Sequence, residues 1–220
     1  MEYTTLGSTG MSVSKIALGC MSFGTGEPWM LDGDDARELV ERAIELGVNF
    51  FDTANVYSNG ESEELLGDVL GEYDRDEQVV ATKVRFSYGD SHPNADGLSR
   101  KTIEQELQHS LDRLGMETID LYQTHRVDPE TPVETTLRTM GDLISRGKIR
   151  HIGTSSMWAH QLAERLRTAE RLDLPRFETM QNHYHPAYRE DERDLLPITE
   201  RENMGVIPWG PLGQGFLARP

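Results

Sequence analysis

From residue 15 to residue 209, short apolar segments alternate with longer amphipathic ones, and this alternation limits the possible folds more than any other feature. The short segments are Lys15-Ile-Ala-Leu-Gly19, Val48-Asn-Phe-Phe51, Gln78-Val-Val-Ala-Thr-Lys83, Ile119-Asp-Leu-Tyr-Gln-Thr124, Ile149-Arg-His-Ile-Gly153, Glu178-Thr-Met-Gln181 and Gly205-Val-Ile-Pro-Trp209. Their length and their β-branched and aromatic content predict buried strands. Helical periodicity follows each of the first six: 34–46, with Asp34 as N-cap and Leu39, Val40, Ala43 and Ile44 inward; 62–71; from about Ser99, with Ile103, Leu107, Leu111 and Leu114 as a stripe; 133–146; 158–169; and 189–202. Residues 3–13 predict a small hairpin ahead of them. Strict alternation predicts a parallel sheet with helices outside it. The glycine fingerprint of dinucleotide-binding open sheets is missing, because Gly24-x-Gly26 lacks a third glycine and precedes no helix. Polar residues at nearly every strand end favour an α/β fold of the (β/α)8 TIM-barrel type. Residues 1–220 read as one such domain with about seven βα units. An eighth strand and helix are not among these residues. Because seven strands alone leave two open edges, the expectation is a chain longer in its native form, truncated, or closed by another chain.

The chain has 38 acidic and 22 basic residues, a formal net charge of −16. That charge repels nucleic acid and anionic membrane surfaces, so neither is expected as a partner. Lysine occurs only at 15, 83, 101 and 148, and the other 18 basic residues are arginine. A salt-adapted, halophilic protein is one expectation, since salt screens the self-repulsion of an acidic surface; equal stability in dilute buffer and in molar potassium chloride would refute it. An ordinary acidic protein is the alternative. Cys20 is the single cysteine, which excludes an intrachain disulfide and fits a reducing compartment. With no apolar leader and no run of 18 apolar residues, a cytoplasmic location is expected.

The strand ends collect Asp52, Lys83, His125, Ser155, Gln181 and Trp209, with Tyr57 in the loop five residues after Asp52. A phenol is a poor proton donor near neutrality because its pKa is about 10. An ammonium beside it would stabilise the phenolate and lower that value. Asp52 would hold Lys83 charged, and His125 could hydrogen-bond a carbonyl oxygen. Together they would form a general acid aimed at a carbonyl.

These residues, and the segments around them, resemble the aldo-keto reductases. The likeness runs through Gly47-Val-Asn-Phe-Phe-Asp-Thr-Ala-x-x-Tyr57, Glu61-Ser-Glu-Glu-Leu-Leu-Gly67, the strand-end Lys83, Asp120-Leu-Tyr-Gln-Thr-His125 and Gly147-Lys-Ile-Arg-His-Ile-Gly-Thr-Ser155. The resemblance implies a catalytic tetrad of Asp52, Tyr57, Lys83 and His125. It implies reduction of an aldehyde or ketone with NADP(H), Tyr57 protonating the oxygen of a small-molecule carbonyl substrate. It further implies that Ser155, Ser156 (a position often taken by Asn) and Gln181 hold the nicotinamide carboxamide. Trp209 would stack on the nicotinamide ring, and Pro211, Leu212, Gly213, Gln214 and Gly215 would bring backbone amides to the pyrophosphate. The choice of NADP over NAD rests on family habit.

Each feature also has a plainer reading. Asp52 could cap its loop, and Lys83 could serve a salt bridge. Tyr88 and Tyr122 compete with Tyr57, but Tyr122 lies within a strand and reads as packing, while Tyr88 has no paired cation. His183-x-His185 has metal-like spacing without a third ligand and reads as a polar loop. Met21, Met30, Met157 and Trp158 could be packing or pocket wall, and Trp29 is a pocket candidate. Other functions on the same scaffold are a cofactor-binding regulatory subunit, like the potassium-channel β subunits that resemble this family, or an inactive truncated remnant. A sugar-phosphate isomerase is disfavoured, since it needs a carboxylate base and leaves the Tyr–Lys pair idle. Oligomeric state is not readable.

Overall fold

The computed structural model describes residues 1–87 and 92–218; Tyr88 lies outside them. A hairpin of β1 (Tyr3–Thr5) and β2 (Ser12–Ser14) comes first. Seven strands then form one sheet in chain order: β3 (Leu18–Gly19), β4 (Phe50–Asp52), β5 (Val79–Val84), β6 (Ile119–Thr124), β7 (Ile149–Ser155), β8 (Thr179–His183) and β9 (Gly205–Trp209). Every pairing in it is parallel. Helices α1 (Gly33–Glu45), α2 (Glu61–Leu70), α3 (Arg100–Leu114), α4 (Val133–Ser145), α5 (Ala159–Leu172) and α6 (Leu195–Arg201) fill the crossovers. The result is seven-eighths of the expected barrel, curled with its helices outside.

Alternation along the strands sorts side chains into two apolar layers. Outward residues such as Phe51, Val80, Val84, Tyr122, Ile152 and Met180 pack under the helices with Val40, Leu66, Ile103, Leu107 and Met140. Burying each large side chain contributes roughly 1.5–3 kcal/mol. Inward residues Phe50, Val79, Ala81, Leu121 and Ile207 form a second cluster with Leu6 and Val13 of the hairpin. The hairpin therefore floors the curled sheet. Gly7 (φ +54°) is the point of closest approach: a Cβ there would collide with the Gly205 nitrogen. Above this apolar floor the same inward rows carry Asp52, Lys83, Gln123 and Gln181, all buried.

Several local expectations change. The N-cap of α1 is Asp32, whose carboxylate accepts from the amides of Asp34 and Asp35. Leu39 is exposed, because Ala36, Val40 and Ala43 form the buried stripe instead. The first strand of the sheet contracts to Leu18–Gly19. The predicted helix 189–202 is split into a 3-10 turn at Glu190–Glu192 and α6 from Leu195. Pro197 explains the break, since its ring clashes with the carbonyl four residues earlier, at Arg193, in a continuous helix. No described helix is long and apolar enough to cross a membrane.

Candidate active site

The site begins with Lys83, the inward residue next to last in β5, which is fully buried. Its Nζ donates to Asp52 Oδ2 at 2.6 Å, to the Thr53 carbonyl at 2.8 Å and to the Tyr57 hydroxyl at 3.2 Å. An ammonium has three donors, and all three are used. Asp52 Oδ1 takes two further donors from across the sheet, Gln123 Nε2 at 2.8 Å and Gln181 Nε2 at 2.9 Å. The carboxylate is thus tied to β5, β6 and β8 together.

Tyr57 follows a loop that has its own moorings. Asn55 Nδ2 donates to Glu106 Oε2 of α3 at 2.7 Å and to the Phe86 carbonyl at 2.9 Å. Thr53 and Ser62 share a hydroxyl hydrogen bond of 2.8 Å. Beyond Tyr57, Ser58 and Asn59 take left-handed φ values of 49° and 53° before α2 begins. The Tyr57 ring meets His125 edge-on at 5.6 Å, and Phe86 closes on His125 from another direction at 5.4 Å.

Electrostatics follow from burial. Burial alone would push the Lys83 ammonium down, but Asp52 foremost, and Tyr57 with it, hold its pKa above the ordinary lysine value, so Lys83 stays charged. For Tyr57 the sequence expectation is corrected. Burial is the largest influence and raises the phenol above its usual pKa, with Lys83 opposing it only in part. The ammonium acts in the expected direction; loss of water outweighs it. Burial, then the charges of Lys83 and Arg126, push His125 down to about 3. It is therefore a neutral imidazole near pH 7. Its Nδ1 is buried with no hydrogen-bond partner. An orphan acceptor costs less there than an orphan N–H, so the ring proton is assigned to Nε2.

The expected cofactor residues fall around the same rim. Ser155 is buried at the end of β7, with its Oγ 3.2 Å from Ser156 Oγ. Ser156 has φ +47°, a region where Asn is common among non-glycine residues. Trp209 Nε1 donates to Ser156 Oγ at 3.0 Å. One face of Trp209 stacks on His183, 4.1 Å away with planes 13° apart, and Tyr188 stacks on the far side of His183 at 4.6 Å. Trp209 remains 37% exposed. Gln181 differs from expectation in detail, because its amide nitrogen is already committed to Asp52. After Pro211, the amides of Gly213 and Gly215 donate to the carbonyls of Gly210 and Leu212, which narrows the donors that loop can offer to Leu212 and Gln214.

A cavity of about 470 Å³ opens beside this rim, with Arg126, Met157, Trp158, Tyr188 and Trp209 among its lining. Trp29 is exposed and does not line it. A larger hollow of about 550 Å³ lies on the helix layer, where Arg176 and Arg201 already pair with Glu202. The structure thus brings Asp52, Tyr57, Lys83 and His125 together. Sequence reading passed over Gln123, which period-two alternation from Leu121 would have placed inside, and also Asn55, Glu106 and Arg126. It read His183 only as a metal or loop residue, and the stacking on Trp209 left no local signal.

Comparison with known proteins agrees with this architecture. Residues 15–219 match the Aldo/keto reductase family. The chain belongs to that family. It is 40% identical to the aldo-keto reductase dtxS3 of Metarhizium robertsii, over 100% of this chain and 66% of that protein. It is 39% identical to the aldo-keto reductase AFTS1 of Alternaria alternata, over 99% of this chain and 67% of that protein. Against the versiconal hemiacetal acetate reductase of Aspergillus parasiticus the identity is 38%, over 100% and 70%. This aldo-keto reductase chain therefore spans about two thirds of the length of the relatives it matches.

Proposed function

We propose that this chain reduces an aldehyde or ketone to an alcohol, using NADP(H), with Tyr57 as general acid. The observation carrying this reading is the buried Lys83 ammonium bridging Asp52 and the Tyr57 hydroxyl. The cofactor reading draws on Trp209, which has one face covered by His183 while the residue stays partly exposed and is fixed by Ser156. When bound, the cofactor supplies a hydride to the carbonyl carbon. Ser155 and Ser156 would hold its carboxamide oxygen, and Gln181, whose nitrogen faces Asp52, would offer its Oε1 to the carboxamide nitrogen. Leu212 and Gln214 would contribute amides to its phosphates.

The protein's own part is proton supply and alignment. His125, neutral and protonated at Nε2, donates a hydrogen bond to the substrate oxygen and turns it toward Tyr57. Tyr57 gives its proton to that oxygen as negative charge develops there. Lys83 then stabilises the phenolate left behind, an effect strongest in the transition state. Asp52 keeps the ammonium charged. The raised pKa of Tyr57 keeps the phenol protonated and ready at neutral pH. The single cysteine, Cys20, which fits a reducing compartment, supports a cytoplasmic location, and the substrate would be a small-molecule carbonyl compound.

Fluorescence titration of the 220-residue chain with NADPH and NADH in high salt tests the cofactor assignment. Saturable tryptophan quenching by NADPH, weaker with NADH, is the expected result. Equal quenching would remove the NADP preference, and none from a folded sample would remove the cofactor site. The regulatory-subunit alternative predicts quenching without turnover of any aldehyde.

A further inference from the structure

Arg126 follows His125 directly, and the tetrad gives it no task. Its Nη1 donates to the His125 carbonyl at 2.7 Å and reaches Ser155 Oγ at 3.5 Å. It is partly buried and makes no ion pair with any described residue. Arg85, which donates to the Val127 carbonyl next door, does have a carboxylate, Asp96. Among the described residues, Arg126 is the only arginine or lysine lining the 470 Å³ cavity, and the one carboxylate there, Asp191, is occupied by Asn182 Nδ2 at 2.6 Å. Trp158, Tyr188 and Met157 supply an apolar and aromatic wall.

We propose that Arg126 is a specificity-determining residue that anchors a carboxylate on the substrate, so that the preferred substrates are aromatic or long-chain aldehydes bearing an acid group. The inference rests on the reductase reading for its substrate, but the site can be probed without turnover. A half-desolvated guanidinium lacking a counter-ion is a poor resting arrangement, and an incoming carboxylate relieves it with two parallel hydrogen bonds. Burial lowers the Arg126 pKa, while the Tyr57 phenol beside it acts to raise it, so the group lies within electrostatic reach of the proton donor. Being adjacent to His125, Arg126 would fix one end of the substrate while the aldehyde oxygen meets Nε2 of that histidine.

The test compares 4-carboxybenzaldehyde with 4-methylbenzaldehyde in the 220-residue chain and in Arg126→Gln and Arg126→Lys. The ratio of kcat/KM should favour the carboxylated aldehyde by roughly 10- to 100-fold, fall toward one in Arg126→Gln, and recover in part in Arg126→Lys. In parallel, benzoate and benzamide are titrated by tryptophan quenching, which needs no catalysis. Benzoate should bind more tightly than benzamide, and the difference should vanish in Arg126→Gln. If neither aldehyde turns over yet benzoate selectivity depends on Arg126, the reductase reading fails and the anion site stands. A ratio near one in the unmodified chain, or a preference for acid that survives Arg126→Gln in a folded variant, overturns the proposal.

Discussion

Tyr57→Phe should lower kcat for aldehyde reduction by about 10²- to 10⁴-fold, the range of a well-placed general acid. The substitution removes only a hydroxyl. The ring would still meet His125 edge-on and still lie beneath the Lys83 ammonium, whose Nζ is 4.7 Å from the ring centroid. Lys83 keeps its bonds to Asp52 and to the Thr53 carbonyl. Stability and NADPH quenching should therefore change little while the chemical step collapses. Steady-state assays following NADPH absorbance, beside the quenching titration, separate the two effects. Turnover retained within a few-fold would place the acid elsewhere.

Lys83→Met should damage both rate and stability. Lys83 is completely buried, and its removal strips Asp52 of a cation at 2.6 Å while leaving it the two glutamine donors. Breaking a buried ion pair by deleting one partner costs about 3–5 kcal/mol, because the surviving charge is stranded away from water. Urea unfolding should show the loss as a lower midpoint. The double substitution Asp52→Asn with Lys83→Met removes both charges, and should regain most of the midpoint without regaining activity. If the single variant unfolds at the unchanged midpoint, the ion pair contributes nothing to folding; if it also reduces aldehydes at the normal rate, Lys83 has no part in the chemistry.

Much of this fold and site is legible in the sequence. The β/α alternation placed all seven sheet strands, because buried parallel strands are short runs of Val, Ile and Phe between helical periods. Their places at strand ends bring Asp52 and Lys83 to the same rim, from strands that pair directly through Phe50 with Val79 and Asp52 with Ala81. Less was visible where two distant segments decide the outcome. Nothing near His183 says that its ring will lie on Trp209, 26 residues later. The Tyr57 phenol was expected below its usual pKa because the sequence names the nearby cation; how much water the fold removes is a tertiary quantity. The break at Arg193 was missed although Pro197 announces it four residues ahead.

The hairpin that floors the sheet also bears on how the molecule assembles. Gly7 and Leu6 rest against Gly205, and Leu6 shares an apolar cluster with Ile207, so these contacts join residues about 200 positions apart. Contacts of such separation form slowly, since a long loop must close before they return any stabilisation. During synthesis, β1 and β2 leave the ribosome long before β9 exists to receive them. Until then Leu6 and Val13 have only part of their final surroundings. The residues translated early are among the last to reach their native contacts.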